Sequence, residues 1–241
     1  MIIIPAIDLK DGKCVRLQQG RKEEVTVYSN DPAATAKHWI SLGAELLHVV
    51  DLDGAFTGEQ RNFDKIKGIR KAIDVPIEVG GGIRDVERIE KLVSLGIDRV
   101  IIGTSAAKNP DMVKKASEKF PGRVLAGIDA KNGKVAVKGW VEVTEIDAIG
   151  FARQMQDAGT AGIIYTDISR DGMLSGPNIE AMAKMAGAIN IPVIASGGVS
   201  KIEDIINLSQ IKNLWGVITG KALYEGTLDL KKAIELVKRG G

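Results

Sequence analysis

The chain has 241 residues, 44% of them hydrophobic, which is enough for a sizeable core in one large or two small domains. Its 33 basic and 31 acidic residues leave a net charge of +2, so no general attraction to nucleic acid or membrane is built in and any anion site is local. A single cysteine, Cys14, excludes an intramolecular disulfide framework, suits a reducing cytoplasm and reads as a packed strand residue.

The chain opens on an apolar run, 2–7, that is far too short to span a membrane and that no basic segment precedes. Seven more short runs rich in Ile and Val follow, at 46–50, 76–79, 99–102, 123–128, 162–166, 192–195 and 215–219, with longer amphipathic stretches between them. That alternation is the pattern of successive βα units around a parallel sheet. Helix starts are marked by Asp31-Pro32, by Asp85 before Val86, Ile89 and Leu92, by Asn109-Pro110, and by a capping box of Ser200 with Glu203. No linker rich in proline, serine or one charge interrupts the series, so one domain over 1–241 is expected.

The two halves echo each other. Pro5-Ala6-Ile7-Asp8-Leu9-Lys10-Asp11-Gly12-Lys13 returns 121 residues later as Ala126-Gly127-Ile128-Asp129-Ala130-Lys131-Asn132-Gly133-Lys134. From Asp31 onward the spacing is 116: Asp31 matches Asp147, Asp51 matches Asp167, and Val79-Gly80-Gly81-Gly82-Ile83 matches Ala195-Ser196-Gly197-Gly198-Val199. The first half therefore carries five extra residues between Asp8 and Asp31, and the segment around Gly20-Arg21-Lys22 reads as an active-site loop rather than scaffold. Eight βα units in two similar halves, about 1–120 and 121–241, predict a closed (β/α)₈ barrel of the TIM type. An open doubly wound sheet would lack the fourfold-plus-fourfold repeat.

In such a barrel the chemistry sits where strands end. Gly81-Gly82 with Gly103-Thr104, and Ser196-Gly197-Gly198 with Gly220-Lys221, end the third, fourth, seventh and eighth runs in turns whose N–H groups can cradle a phosphate. A tight turn alone explains any one of these glycines, but not the arrangement twice over. Two sites half a barrel apart imply a long ligand with a phosphate at each end and its middle across the barrel mouth. There Asp8 and Asp129 finish the first and fifth runs from opposite sides, which suits an acid and a base.

Asp51 and Asp167 form a second matched pair, for which a loop hydrogen bond is an equally good account. Asp171, on the loop after the sixth run, is a reserve acid. Trp140 falls in a loop where burial is not obligatory, so its ring either stacks on a heterocycle or packs on the rim; Trp39 and Trp215 read as packing residues. His38 and His48 are not spaced as ligands and read as a helix and a strand residue, and Asp51-x-Asp53 lacks the further ligands of a magnesium site. No metal is expected.

Taken as a set, Pro5-Ala6-Ile7-Asp8-Leu9, Gly20-Arg21, His48-Val49-Val50-Asp51-Leu52, Gly80-Gly81-Gly82-Ile83-Arg84, Lys138-Gly139-Trp140, Asp171-Gly172 and Ala195-Ser196-Gly197-Gly198 resemble the phosphoribosylformimino-5-aminoimidazole carboxamide ribotide isomerases of histidine biosynthesis. The resemblance covers essentially the whole chain. It implies a barrel of two similar halves, a substrate with two ribose phosphates, and an Amadori rearrangement of an aminoaldose to an aminoketose with no cofactor. It further implies Asp8 as proton acceptor, Asp129 as proton donor, Thr166 and Asp171 assisting near the reacting ribose, and Trp140 stacked on the substrate. Arg16, Gly20, Arg21, Arg84 and Gly176 complete the expected substrate-binding set. A monomer with a small bisphosphate as its partner is expected.

The sister family, the cyclase subunit of imidazole glycerol phosphate synthase, shares the repeat and both aspartates. It typically begins Pro-Cys-Leu-Asp and lacks the Lys-Gly-Trp element present here as Lys138-Gly139-Trp140. A dual-substrate isomerase that also accepts phosphoribosylanthranilate, and a phosphosugar-binding protein without turnover, are the other readings.

Overall fold

The structure, a computed structural model, describes residues 1–18, 21–58 and 61–239, with the backbone alone for Gln18, Arg21, Lys22, Glu23 and Arg239. In chain order it runs β1 (Ile2–Lys10), β2 (Lys13–Gln18), β3 (Arg21–Ser29), α1 (Pro32–Ser41), β4 (Leu47–Asp51), α2 (Leu52–Thr57), α3 (Phe63–Ala72), β5 (Ile77–Gly80), α4 (Val86–Ser94), β6 (Arg99–Ile102), α5 (Thr104–Lys108) and α6 (Pro110–Lys119). It continues with β7 (Val124–Lys131), β8 (Lys134–Val137), β9 (Glu142–Asp147), α7 (Ala148–Asp157), β10 (Gly162–Asp167), α8 (Ile179–Ala188), β11 (Val193–Ser196), α9 (Ile202–Ser209), β12 (Leu214–Thr219), α10 (Lys221–Tyr224) and α11 (Leu230–Arg239).

The eight apolar runs are the eight parallel strands β1, β4, β5, β6, β7, β10, β11 and β12. β1 pairs with both β12 and β4, and β7 with both β6 and β10, so the sheet closes as a (β/α)₈ barrel. Strands in such a sheet are covered on both faces, which is why they read as continuous apolar runs rather than alternating ones. One face fills the barrel interior, with Ile4, Leu46, Ile101, Leu125, Ile164, Ile194 and Ile218 in a single cluster. The other packs against the helices, where Ile7, Val49, Val79 and Val217 meet Ile66, Ile89, Met155 and Ile205 in the main core. Burying each such side chain contributes about 1.5–3 kcal/mol.

Helix starts follow their local chemistry. Asp31 accepts from the N–H groups of Ala33 and Ala34, Asp85 from Arg88, and Asn109 from Met112. The expected Ser200–Glu203 box is displaced by one residue. α9 begins at Ile202, and it is the Asp204 carboxylate that accepts from Ser200 N and Oγ, both at 2.8 Å, and from Lys201 N at 3.1 Å. Asp204, not Glu203, faces inward and is buried.

The segment expected to be a loop around Gly20-Arg21-Lys22 is largely a hairpin. β2 and β3 pair antiparallel from Cys14↔Ser29 to Gln18↔Arg21, and β2 continues the sheet from β1. A shorter hairpin, β8 with β9, follows β7 in the same way. The strands of the first hairpin have 6 and 9 residues and those of the second 4 and 6, so the five extra residues lengthen strands. Among the described residues, no helix is long and apolar enough to cross a membrane.

Candidate active site

A cavity of about 740 Å³ opens where the parallel strands end, and Asp8, Asp129, Thr166, Asp171 and Trp140 all line it. Asp8, near the end of β1, is the register partner of Val15 on β2, and the next residue, Arg16, turns its guanidinium back to it, with Nη1 2.8 Å from Asp8 Oδ2. Nη2 of the same group is 3.7 Å from Asp171 Oδ1. Burial opposes the charge on Arg16, but Asp8 and then Asp171 outweigh it and hold the guanidinium protonated.

Asp129 lies two residues before the end of β7, beside its register partner Thr166 on β10. Burial pushes its carboxyl above the usual carboxylate range, although hydrogen bonds from Trp140 and Thr166 and the charge of His48 act in the opposite sense. Burial likewise pushes Asp171 up; Arg16 opposes this, and the nearby charges of Asp8 and Asp129 reinforce it. Three carboxylates thus share one enclosed space with unequal surroundings, the condition under which acid and base separate.

Trp140 reaches Asp129 because the backbone is bent to bring it there. Lys138, Gly139 and Trp140 have φ of 57°, 66° and 73°, a left-handed run in which two of the three residues are not glycine. Lys138 N donates to Thr104 Oγ1 at 3.1 Å, which ties this turn to the start of α5.

The glycine turns stand at the two ends of the cavity: Gly81, Gly82, Gly103 and Thr104 on one side, Ser196, Gly197, Gly198, Gly220 and Lys221 on the other. Gly81 and Gly197 have φ of +99° and +96°, and a Cβ there would strike the carbonyls of Asp51 and Asp167 respectively. These turns are therefore compressed against the preceding loop in the same manner. Gly103 and Gly220 immediately precede α5 and α10, so the first N–H groups of both helices are unpaired within the helix. The Arg16 guanidinium occupies the space beside Gly220, 2.6 Å from where a Cβ would stand, and Lys221 Nζ donates to Gly172 O at 3.0 Å.

Arg84 lines the cavity and fills the space over Gly58. Gly176 lies behind Gly198, donating its N–H to the Gly198 carbonyl at 3.0 Å. Gly20 and the Arg21 side chain lie outside the described residues.

Asp51 and Asp167 do the structural work that a loop hydrogen bond implies. Asp51 accepts from Gly54 N at 2.9 Å and Asn62 Nδ2 at 2.6 Å; Asp167 accepts from Ser169 Oγ at 2.6 Å and Asn178 Nδ2 at 2.7 Å. Asp53 is engaged by Asp11 N and Asn62. Among the described residues no group of three His, Cys, Asp or Glu is placed to hold a metal ion. Sequence reasoning missed both asparagines, although they keep the 116-residue spacing. It also missed Glu78, the buried partner of His48.

Comparison with known proteins places this chain in a family. A profile of the histidine biosynthesis protein family matches residues 2–229. The chain belongs to this family. A 1-(5-phosphoribosyl)-5-((5-phosphoribosylamino)methylideneamino)imidazole-4-carboxamide isomerase from Thermodesulfovibrio yellowstonii is 62% identical over 241 residues, covering 100% of this chain and 99% of the relative. Isomerases of the same name from Trichlorobacter lovleyi and Geobacter sulfurreducens are each 58% identical, over 242 and 243 residues, again across 100% of this chain. Members of the histidine biosynthesis family at this level of identity thus carry the name of a substrate with two phosphoribosyl groups.

Proposed function

We propose that this chain is the cofactor-independent isomerase of histidine biosynthesis that converts the phosphoribosylamino group of its substrate to the phosphoribulosyl form by an Amadori rearrangement. The observation that carries the reading is the placement of Asp8 and Asp129 in one cavity between two glycine turns. The two turns hold one phosphate each, by backbone N–H groups at Gly81-Gly82 with Gly103-Thr104 and at Ser196-Gly197-Gly198 with Gly220-Lys221. Arg16 and Arg84, with Gly176 behind the second turn, support that grip, and Gly20 and Arg21 are proposed to join them. Anchoring at both ends places the reacting ribose between the aspartates, which replaces a chance encounter by fixed proximity.

The chemistry then needs only proton movement. Asp129, whose carboxyl is pushed up by burial, protonates the ribose ring oxygen; the C1–O bond breaks and the amine lone pair forms a C1–N iminium. Asp8 removes the proton on C2, and the electron pair of that C–H bond neutralises the iminium as an enaminol. The C2 hydroxyl gives up its proton, C1 gains one, and the aminoketose results with atoms and electrons unchanged in number. Thr166 orients Asp129, Asp171 lies ready as a second acid, and Trp140 covers the substrate. The chain works as a cytoplasmic monomer whose two half-barrels, about 1–120 and 121–241, each supply one phosphate site and one aspartate.

Turnover of the aminoaldose ribotide by the purified chain tests this reading. Phosphoribosylanthranilate, and the ketose product with ammonia, run in parallel, distinguish a dual isomerase and a cyclase. Tight bisphosphate binding with no turnover in any arm would sink the assignment as an enzyme.

A further inference from the structure

Two polar side chains meet at the floor of the cavity and have no part in the roles above. His48 on β4 and Glu78 on β5 are register partners, and His48 Nδ1 lies 2.8 Å from Glu78 Oε1. His48 lines the cavity, whereas Glu78 is 0% exposed, and its Oε2 has no hydrogen-bond partner among the described residues. On the other side, the register partner of Glu78 is Arg99, whose guanidinium stacks over Trp215 at 4.7 Å.

A buried carboxylate with one oxygen unpaired is costly, and an apolar side chain would suit a barrel interior otherwise filled by Leu46, Ile101 and Leu125. Packing therefore does not account for Glu78; its bond to His48 does. A carboxylate only accepts, so this bond keeps the ring hydrogen on Nδ1 and leaves Nε2 as the polar edge available to the cavity.

We propose that Glu78 is a positioning residue for the isomerisation: it holds His48 in the Nδ1–H form, so that Nε2 is presented to the cavity as the hydrogen-bonding edge that meets the sugar hydroxyls. The inference rests on the isomerase reading. Without Glu78 the ring is free to turn over or to move its hydrogen to Nε2, and the edge offered to the substrate changes from one orientation to a mixture.

The chain has two histidines, His38 and His48, so the ring nitrogens are assigned by comparing the parent with His38→Asn, a change on the exposed face of α1. The nitrogen-15 spectrum of the parent is expected to show His48 protonated at Nδ1. Glu78→Leu is expected to shift the hydrogen toward Nε2 and to lower kcat roughly 10- to 100-fold, the scale for losing a group that orients a functional histidine. KM stays within about threefold and Glu78→Gln, which keeps an acceptor, recovers most of the rate. With His48→Asn already present, Glu78→Leu costs nothing further. A bare Nδ1 in the parent, parental kcat in Glu78→Leu, or losses that multiply in the double variant would each overturn the proposal. The parent spectrum needs no variant to fold, and absence of turnover by the parent would instead remove the isomerase reading on which the proposal stands.

Discussion

Arg16 donates to Asp8 over 2.8 Å from the adjacent strand of the first hairpin, and its other terminal nitrogen is 3.7 Å from Asp171. One buried cation thus faces two of the three carboxylates, while Asp129 is met by the neutral donors Trp140 and Thr166. Aspartates at matching places in the repeat have acquired unlike surroundings, which is what opposite proton-transfer roles require.

Asp8→Asn and Asp129→Asn are each expected to bind the bisphosphate substrate and to lose about 10³-fold in kcat, within the usual range for a general acid or base. Steady-state kinetics beside a binding titration separates the two effects. Near-parental turnover in either variant would remove that residue's role.

Asp129→Asn is also expected to be the more stable protein at pH 8, by about 1 kcal/mol in denaturant unfolding. The sign follows from burial, which raises the folded-state carboxyl above its ordinary 3.8. Below that ordinary value both folded and unfolded states are protonated and no penalty exists. As pH rises through the raised folded value, the native state progressively loses that stability, and asparagine does not. The gain should vanish by about pH 3, and a gain independent of pH would contradict this account.

Trp140→Phe keeps an aromatic face but removes the N–H that reaches Asp129. That hydrogen bond lowers the Asp129 carboxyl, so its loss raises it, and the proton is retained to higher pH. The alkaline limb of the kcat profile should move upward. An unmoved limb with altered KM would mean that Trp140 acts through substrate stacking alone.

Gly81→Ala is expected to cost roughly 2–5 kcal/mol, because it adds left-handed strain to a collision with the Asp51 carbonyl. Gly68→Ala, inside α3, meets nothing within 4 Å and needs no left-handed backbone, so it should cost under about 1 kcal/mol or add stability. Thermal unfolding compares them directly; equal losses would refute the packing explanation.

The eight strands were legible because a barrel strand is buried on both faces and so advertises itself as a continuous apolar run. The hairpins were not: β2 carries Lys13 and Arg16, and β9 reads Glu142-Val143-Thr144-Glu145-Ile146-Asp147, mostly exposed. Strand β2 does bury Cys14, Val15 and Leu17, but Lys13 and Arg16 interrupt the run, whereas β9 is held to β8 by ladder hydrogen bonds rather than by an apolar stripe. The capping shift from Glu203 to Asp204 has a similar cause, since which of two adjacent acids turns inward depends on where α9 docks.

By itself the sequence determined the barrel, the repeat and which strands carry the aspartates, although β1 and β7 run two residues beyond Asp8 and Asp129, because strand periodicity and glycine turns are local properties of the chain. Only the tertiary structure decided what those residues touch. His48 and Glu78 are 30 positions apart, and Arg16 and Asp171 come from opposite halves; each pair exists because closure of the sheet fixes strand register and brings the strand ends to one mouth. That long-range register, which no local pattern encodes, separates two equivalent aspartates into unequal environments.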